Sequence, residues 1–343
     1  IVAGDKDKIK DIENIIGGTK NDTITGSSAN NSLDGNEGSD RFYGSTGIDT
    51  IDGGVDIDGT ADTDIADYSN MSNKVVVEGS GSDYSVLKPD GKNDTLKNIE
   101  EVQGTNYQDT MMGSTTDAIA DIFRGGDNSD TLIGNLGNDS LYGEEGNDTL
   151  RGGAGDDYLH GGVGGSDTAD FSDATEESGK GITVNLSITG AQAVGGNLGS
   201  DTLVDIENVL GSSLADTIRG NSNANTLKGG AGNDTFNFSN ALGESTGDYI
   251  DGGSDVDTVN YSNLTSKIEV NLNEENNGPT EVKVGANAQD HKIENIENII
   301  GTSQNDIIDV LDNCQFGNYK FLYLSPERLQ HDWIVDRLKQ LKI

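Results

Sequence analysis

Over residues 125–161 the apolar positions keep step with one another: Leu132, Leu141, Leu150 and Leu159 return at every ninth residue, with polar and glycine-rich stretches between them. This step fits neither the period of about 3.6 of an amphipathic helix nor a sustained two-residue alternation. It predicts very short strands, each turning one apolar side chain inward, separated by tight turns.

Glycine and aspartate share the frame. Gly125, Gly134, Gly143, Gly152 and Gly161 are nine apart, and Asp130, Asp139, Asp148 and Asp157 stand five residues after the first four. The segments read GGDNSDTLI, GNLGNDSLY, GEEGNDTLR and GGAGDDYLH, with further turn glycines at Gly137, Gly146 and Gly155. An earlier run has the same frame: GGTKNDTIT from Gly17, GSSANNSLD from Gly26, GNEGSDRFY from Gly35 and GSTGIDTID from Gly44. It contributes Asp22, Gly38, Asp40, Gly47 and Asp49. A third run, GSSLADTIR from Gly211, GNSNANTLK and GGAGNDTFN, contributes Asp216, Gly229, Gly232 and Asp234, and looser copies begin at Gly104 and Gly301.

Each residue type has a physical reason. Glycine permits the positive φ and close backbone approach of a tight turn, so that carbonyls converge. Aspartate adds a carboxylate. Two nonapeptides complete one turn of a parallel coil, which sets turn n beside turn n+2: 125–130 with 143–148, 134–139 with 152–157, 17–22 with 35–40 and 211–216 with 229–234. Carboxylates and carbonyls of paired turns then form an oxygen cage of the kind that Ca²⁺ accepts. Asn31 and Asn225 replace the aspartate and remove a charge. Leu214 replaces the second turn glycine, so a distorted turn is expected there.

The pattern Gly-Gly-x-Gly-x-Asp-x-apolar-x resembles the RTX (repeats-in-toxin) haemolysin-type calcium-binding repeats over about residues 11–310, most specifically at 125–170. The resemblance implies an all-β fold of calcium-bound parallel β-roll, type I secretion of the unfolded chain, and folding by Ca²⁺ outside the cell. It also implies a metal-ligating role for the glycines and aspartates of the three runs, Gly161 included.

A longer repeat overlies the short one. IENIIGG (12–18), IEEVQGT (99–105), IENVLGS (206–212) and IENIIGT (296–302) recur, and alternating apolar segments such as Ile268, Val270 and Leu272 read as antiparallel strand pairs between rolls. The expected organisation is a first module over 1–98, a second over 99–205, a third over 206–295 and the start of a fourth at 296–310. Asp67-Tyr68-Ser69, Asp170-Phe171-Ser172 and Asn260-Tyr261-Ser262 are expected to cap open apolar ends, since solenoids must cover their end rows.

Composition sharpens the picture. The 343 residues hold 22 Lys+Arg against 60 Asp+Glu, a net charge of −38, with 32% hydrophobic residues and a mean hydropathy of −0.55. So little apolar content and so much charge argue against a self-sufficient core and leave a cation as the natural partner. Nucleic acid is excluded by charge sign, and no run is apolar enough for a transmembrane helix. The lone Cys314 makes no internal disulfide. The start at Ile1 without a signal pattern reads as a fragment.

Residues 311–343 leave the frame: five Lys/Arg against four Asp/Glu, the only Trp (Trp333), and a strand then a helix from about 326 to 342. The segment NYKFLYLSPERLQ (318–330) resembles a stretch of RecQ-type DNA helicases, yet no Gly-x4-Gly-Lys-Ser/Thr loop is present to bind phosphate.

Catalysis is not expected. His160, His291 and His331 are scattered, with no His-Glu-x-x-His helix and no Gly-x-Ser-x-Gly elbow. The expected function is a calcium-binding structural segment of a large secreted surface protein, of adhesin or S-layer kind, contacting neighbouring modules or cell-surface components. The alternative is the export and folding domain of a secreted enzyme or toxin whose catalytic part lies elsewhere.

Overall fold

The computed structural model describes residues 12–55, 62–116, 118–175, 180–239, 247–271, 279–285 and 290–309. The strand and helix expected over 311–343 lie outside them. The chain divides into two compact units, through Asp167 and from Thr168. The described residues are all-β, without helix.

In the first unit the nonapeptides wind into a parallel coil with a sheet on each side. Thr23–Thr25, Arg41–Tyr43, Ile65–Asp67, Glu101–Gln103, Ile122–Asp127, Ser140–Glu145 and Tyr158–Val163 stack in parallel on one side. The opposite side carries Asn14–Ile16, Ser32–Asp34, Thr50–Asp52 and Asn93–Lys97, then Val76–Ser80, Thr110–Met112, Thr131–Leu136 and Thr149–Ala154. Between these two stacks the chain makes an antiparallel excursion, Val76–Ser80 with Asp83–Leu87 with Asn93–Lys97. In the regular part, residue i pairs with i+18: Leu132 with Leu150, Leu141 with Leu159. The single inward side chain of each strand builds the core, and Leu132, Leu141, Leu150 and Leu159 are all fully buried.

The second unit repeats the plan. Thr183–Asn185, Thr217–Arg219, Thr235–Ser239, Thr258–Asn263 and Asn298–Ile300 form one parallel stack. Opposite lie Thr168–Asp170, Asn208–Leu210, Thr226–Ala231, Tyr249–Ser254 and His291–Glu294. Ile268–Asn271, Thr280–Val284 and His291–Glu294 make the antiparallel excursion here.

Two aromatic residues expected to cap the roll lie inside it. Tyr68 follows a strand sandwiched between Arg41–Tyr43 and Glu101–Gln103, and Tyr261 lies in a strand sandwiched between Thr235–Ser239 and Asn298–Ile300. Both are fully buried. Coiling resumes after each excursion, so the ring fills the place where the chain departs and not an open end.

Candidate metal centre

The aspartate two residues before each inward side chain forms a second ladder, along the turns. Its Oδ1 accepts the main-chain N–H of the equivalent residue one coil earlier. Asp121 donates to Asp139 (2.8 Å) and Asp139 to Asp157 (2.8 Å) along one edge of the first unit; Asp109 to Asp130 (2.7 Å), Asp130 to Asp148 (2.7 Å) and Asp148 to Asp167 (2.8 Å) along the other. The early run continues the rule, with Asp22 to Asp40 (2.6 Å) and Asn31 to Asp49 (2.9 Å), as does the second unit, with Asp216 to Asp234 and Asp234 to Asp257 (both 2.8 Å). The carboxylates are thus fixed and stacked, one per coil.

The second oxygen separates two kinds of turn. In the open kind, among the described residues, Oδ2 of Asp130, Asp139, Asp148, Asp234 and Asp257 is buried and accepts no hydrogen bond. In the closed kind the turn's own amide takes it: Gly18 N–H donates to Asp22 (2.5 Å), Thr105 to Asp109 (2.5 Å), Ser212 to Asp216 (2.6 Å) and Thr302 to Asp306 (2.8 Å). The residue three after the first glycine decides. It is left-handed in the open turns, at Asn128, Gly137, Gly146, Gly232 and Asp255, with φ from 73° at Asn128 to 155° at Gly146. At Lys20, Tyr107, Leu214 and Gln304 of the closed turns it is not. A left-handed residue swings the turn amides away from the carboxylate, which leaves Oδ2 facing inward without a donor. The turn at Leu214, expected to be distorted, closes on itself through the Ser212 hydroxyl, which accepts from Leu214 N–H (3.0 Å).

Carbonyl oxygens of the next coil meet the open carboxylates. A Cβ on Gly134 would strike Asp139 Oδ2 and stand 2.6 Å from the Gly152 carbonyl oxygen; on Gly229 it would strike Asp234 Oδ2 and stand 2.7 Å from that of Gly252. The frame glycines exist because two oxygens converge where a side chain would be. Gly125, Gly143 and Gly35 have the same surroundings, with Asp130, Asp148 and Asp40.

Such a corner is electrostatically incomplete. Burial, reinforced by neighbouring carboxylates, pushes Asp130 and Asp234 up to about 8, Asp139 to about 7, and Asp148 and Asp257 to about 6. Buried acceptors without donors, like charges one coil apart and converging carbonyls form an all-oxygen donor set that a hard divalent cation satisfies.

Comparison with known proteins agrees. The model of the RTX calcium-binding nonapeptide repeat matches residues 11–40, 34–58, 103–141, 115–150, 133–168 and 210–240. These stretches are RTX calcium-binding repeats. No curated protein matches the chain. Among solved structures it is similar to the crystal structure of extracellular lipase LipA from Serratia marcescens, with 16% identity and a TM-score of 0.24. The match covers 89% of this chain and 41% of that one, so the chain spans less than half of that protein's length.

The structure brings more residues into the ladder than the RTX frame contains. Asp64 accepts from Asp40 N–H (2.7 Å), Asp94 from Asp49 (2.9 Å), Glu100 from Asp64 (2.8 Å) and Glu297 from Asp257 (3.0 Å). The signal for the aspartates was present in sequence: an acid two residues before an inward apolar side chain, as in Asp64-Ile65-Ala66 and Asp94-Thr95-Leu96. The Ile-Glu motif of the long repeat carries glutamate at this same register. Asp62, Asp64 and Glu100 bring carboxylate oxygens within 4.8 Å of one another.

Of the residues singled out from sequence, Gly35, Gly38, Asp40, Gly125, Asp130, Gly134, Gly137, Asp139, Gly143, Gly146, Asp148, Gly152, Gly155, Asp157, Gly161, Gly229, Gly232 and Asp234 line turns that are left-handed at the deciding position, or the coil stacked on them. Gly17, Asp22 and Asp216 belong to closed turns. Gly44, Gly47 and Asp49 form a turn with a different occupant, described below.

Proposed function

We propose that this chain is a calcium-folded structural segment of a large secreted surface protein, of the adhesin or S-layer kind, exported unfolded by a type I system, without catalytic activity of its own. The observation that supports this most is the row of buried carboxylate oxygens without donors, repeated coil after coil. Asp130, Asp139, Asp148 and Asp234, with the carbonyls stacked on them, hold the ions. Calcium supplies the positive charge that neutralises the row and binds adjacent coils to each other.

In the low calcium of a cytosol, repulsion along the ladder keeps the chain open. At ~10⁻⁴ to 10⁻³ M calcium, sites of this kind fill, and because each coil contributes to two corners, filling is cooperative along the coil. Mg²⁺ substitutes poorly, since it demands a tighter octahedral shell. Circular dichroism in EGTA and then in millimolar calcium tests the reading: the β signal appears with calcium, and a signal already complete in EGTA refutes it. Flanking modules of the same kind support the surface-protein reading, whereas a flanking protease, lipase or pore-forming region replaces it with that of an export and folding domain.

A further inference from the structure

One turn already contains a cation. Lys88 directly follows the middle strand of the antiparallel excursion, Asp83–Leu87, is 3% exposed, and reaches into the corner between Asp49 and Asp94. Its Nζ donates to the Ser45 carbonyl oxygen at 2.6 Å, and lies 2.6 Å from Asp94 Oδ1 and 3.4 Å from Asp49 Oδ2. The donors are of the same kind as in the open corners: one turn carbonyl and the ladder aspartates of two adjacent coils. Gly47, the deciding residue of this turn, is left-handed at φ 125°, as the open form requires.

The polar accounting differs from that of the open corners. Asp49 Oδ1 accepts from Asn31 N–H (2.9 Å) and Oδ2 from the Ser45 hydroxyl (2.8 Å), while Asp94 Oδ2 accepts from the Tyr68 hydroxyl (3.1 Å). No carboxylate oxygen here is left without a partner, in contrast to Asp130 or Asp148. A lysine is buried only when its charge is matched, and two ladder carboxylates match it. The surroundings give independent support: Val77, Val86 and Leu96 of the excursion, and Tyr68 in the coil before it, are fully buried.

We propose that the Lys88 ammonium is a tethered replacement for calcium, which makes the Ser45–Asp49–Asp94 corner a metal-independent row, ordered before calcium arrives, against which the calcium-requiring coils close. The assignment rests on the calcium reading for the contrast with the other corners, and not for its own order. It also defines a latent metal site: with the ammonium removed, the same oxygens are left open to an ion.

Hydrogen exchange on the full chain tests this, read at the amides of Asp49 and Thr95, which donate to Asp94 Oδ1 and to the Asp49 carbonyl, against those of Asp130 and Thr149. In EGTA, Asp49 and Thr95 of the natural chain are expected to exchange at least about tenfold more slowly, relative to their intrinsic rates, than Asp130 and Thr149. Lys88→Met should remove that protection in EGTA, recover it in millimolar calcium, and bind one calcium more per chain. The proposal is overturned if the natural chain exchanges equally at all four amides in EGTA, if Lys88→Met keeps its protection there, or if calcium does not restore it. Should calcium protect Asp130 and Thr149 in neither protein, the calcium reading fails while the EGTA comparison still decides the role of Lys88.

Discussion

Replacing Asp148 by asparagine separates the two duties of a ladder carboxylate. Asparagine keeps an Oδ1 to accept the Asp130 N–H, now at 2.7 Å, so the backbone ladder survives. Asparagine is accommodated at the same register at Asn225, but in a closed turn, where Oδ1 accepts from the turn's own Asn221 N–H (2.8 Å) and the amide donates to the Glu207 carbonyl (2.8 Å); beside the left-handed Gly146 no turn amide is directed at the Asp148 carboxylate to compete for Oδ1. What is lost is the charge and the buried Oδ2 beside Gly143. Even supporting residues around a metal are worth about 10- to 100-fold in affinity, so loss of a ligand should raise the calcium midpoint at least about tenfold, or about 1.4 kcal/mol. Without calcium the sign reverses. Burial, then the charges of Asp167 and Glu144, lift Asp148 from 3.8 to about 6, an unfavourable term of roughly 3 kcal/mol for the ionised group before screening by solvent, and on the order of 1 kcal/mol after it. The Asp148→Asn chain should therefore retain more residual β signal than the natural chain in EGTA, and be less resistant to urea at limiting calcium. Circular dichroism, read directly in EGTA and through urea unfolding at limiting calcium, gives the two signs. Equal destabilisation in both media would show that Asp148 is a hydrogen-bonding post and nothing more, and the metal argument would be wrong.

Other expectations follow from the same geometry. Asp216→Asn, in a closed turn where Ser212 already occupies Oδ2, should leave the calcium midpoint within about twofold of the natural value; a shift as large as that of Asp148→Asn would remove the distinction between turn types. Gly134→Ala drives a methyl into Asp139 Oδ2 and the Gly152 carbonyl, and should cost at least about 1–3 kcal/mol in calcium, measured by urea unfolding. Acidification should partly replace the metal. The raised carboxyls hold protons more tightly in the coil than in the open chain, where aspartate titrates near ~3.9, so folding takes up protons. The calcium-free β signal should therefore grow as pH falls through about 8 to about 6 and be lost as pH rises back through that range; a signal independent of pH would contradict the buried ladder.

The regular coil was legible because its physics is periodic. One inward leucine, one aspartate and a turn glycine every nine residues determine strand, core and the i+18 register, and Leu132 and Leu150 pair as that step requires. The excursions were less legible, since the chain leaves the coil for a length that no local rule sets. Asp94 and Glu100 rejoin the ladder only because the three-stranded excursion returns them to it, and Lys88 meets Asp49 across 39 residues. Turn type was half legible. The residue three after the first glycine was seen as a departure at Leu214, but its consequence, an amide turned toward or away from Oδ2, appears only once the turn is built. The roles of Tyr68 and Tyr261 depended on whether coiling resumes beyond them, which a one-dimensional motif does not reveal.

The most direct measurement is calcium anomalous scattering from crystals of the chain grown in calcium. Peaks are expected where the Asp130, Asp139, Asp148 and Asp234 carboxylates meet the carbonyls of the next coil, with none at the closed turns of Asp22 and Asp216 and none beside Lys88. A well-ordered coil with no peaks at the open corners would contradict the claim that calcium holds this fold together.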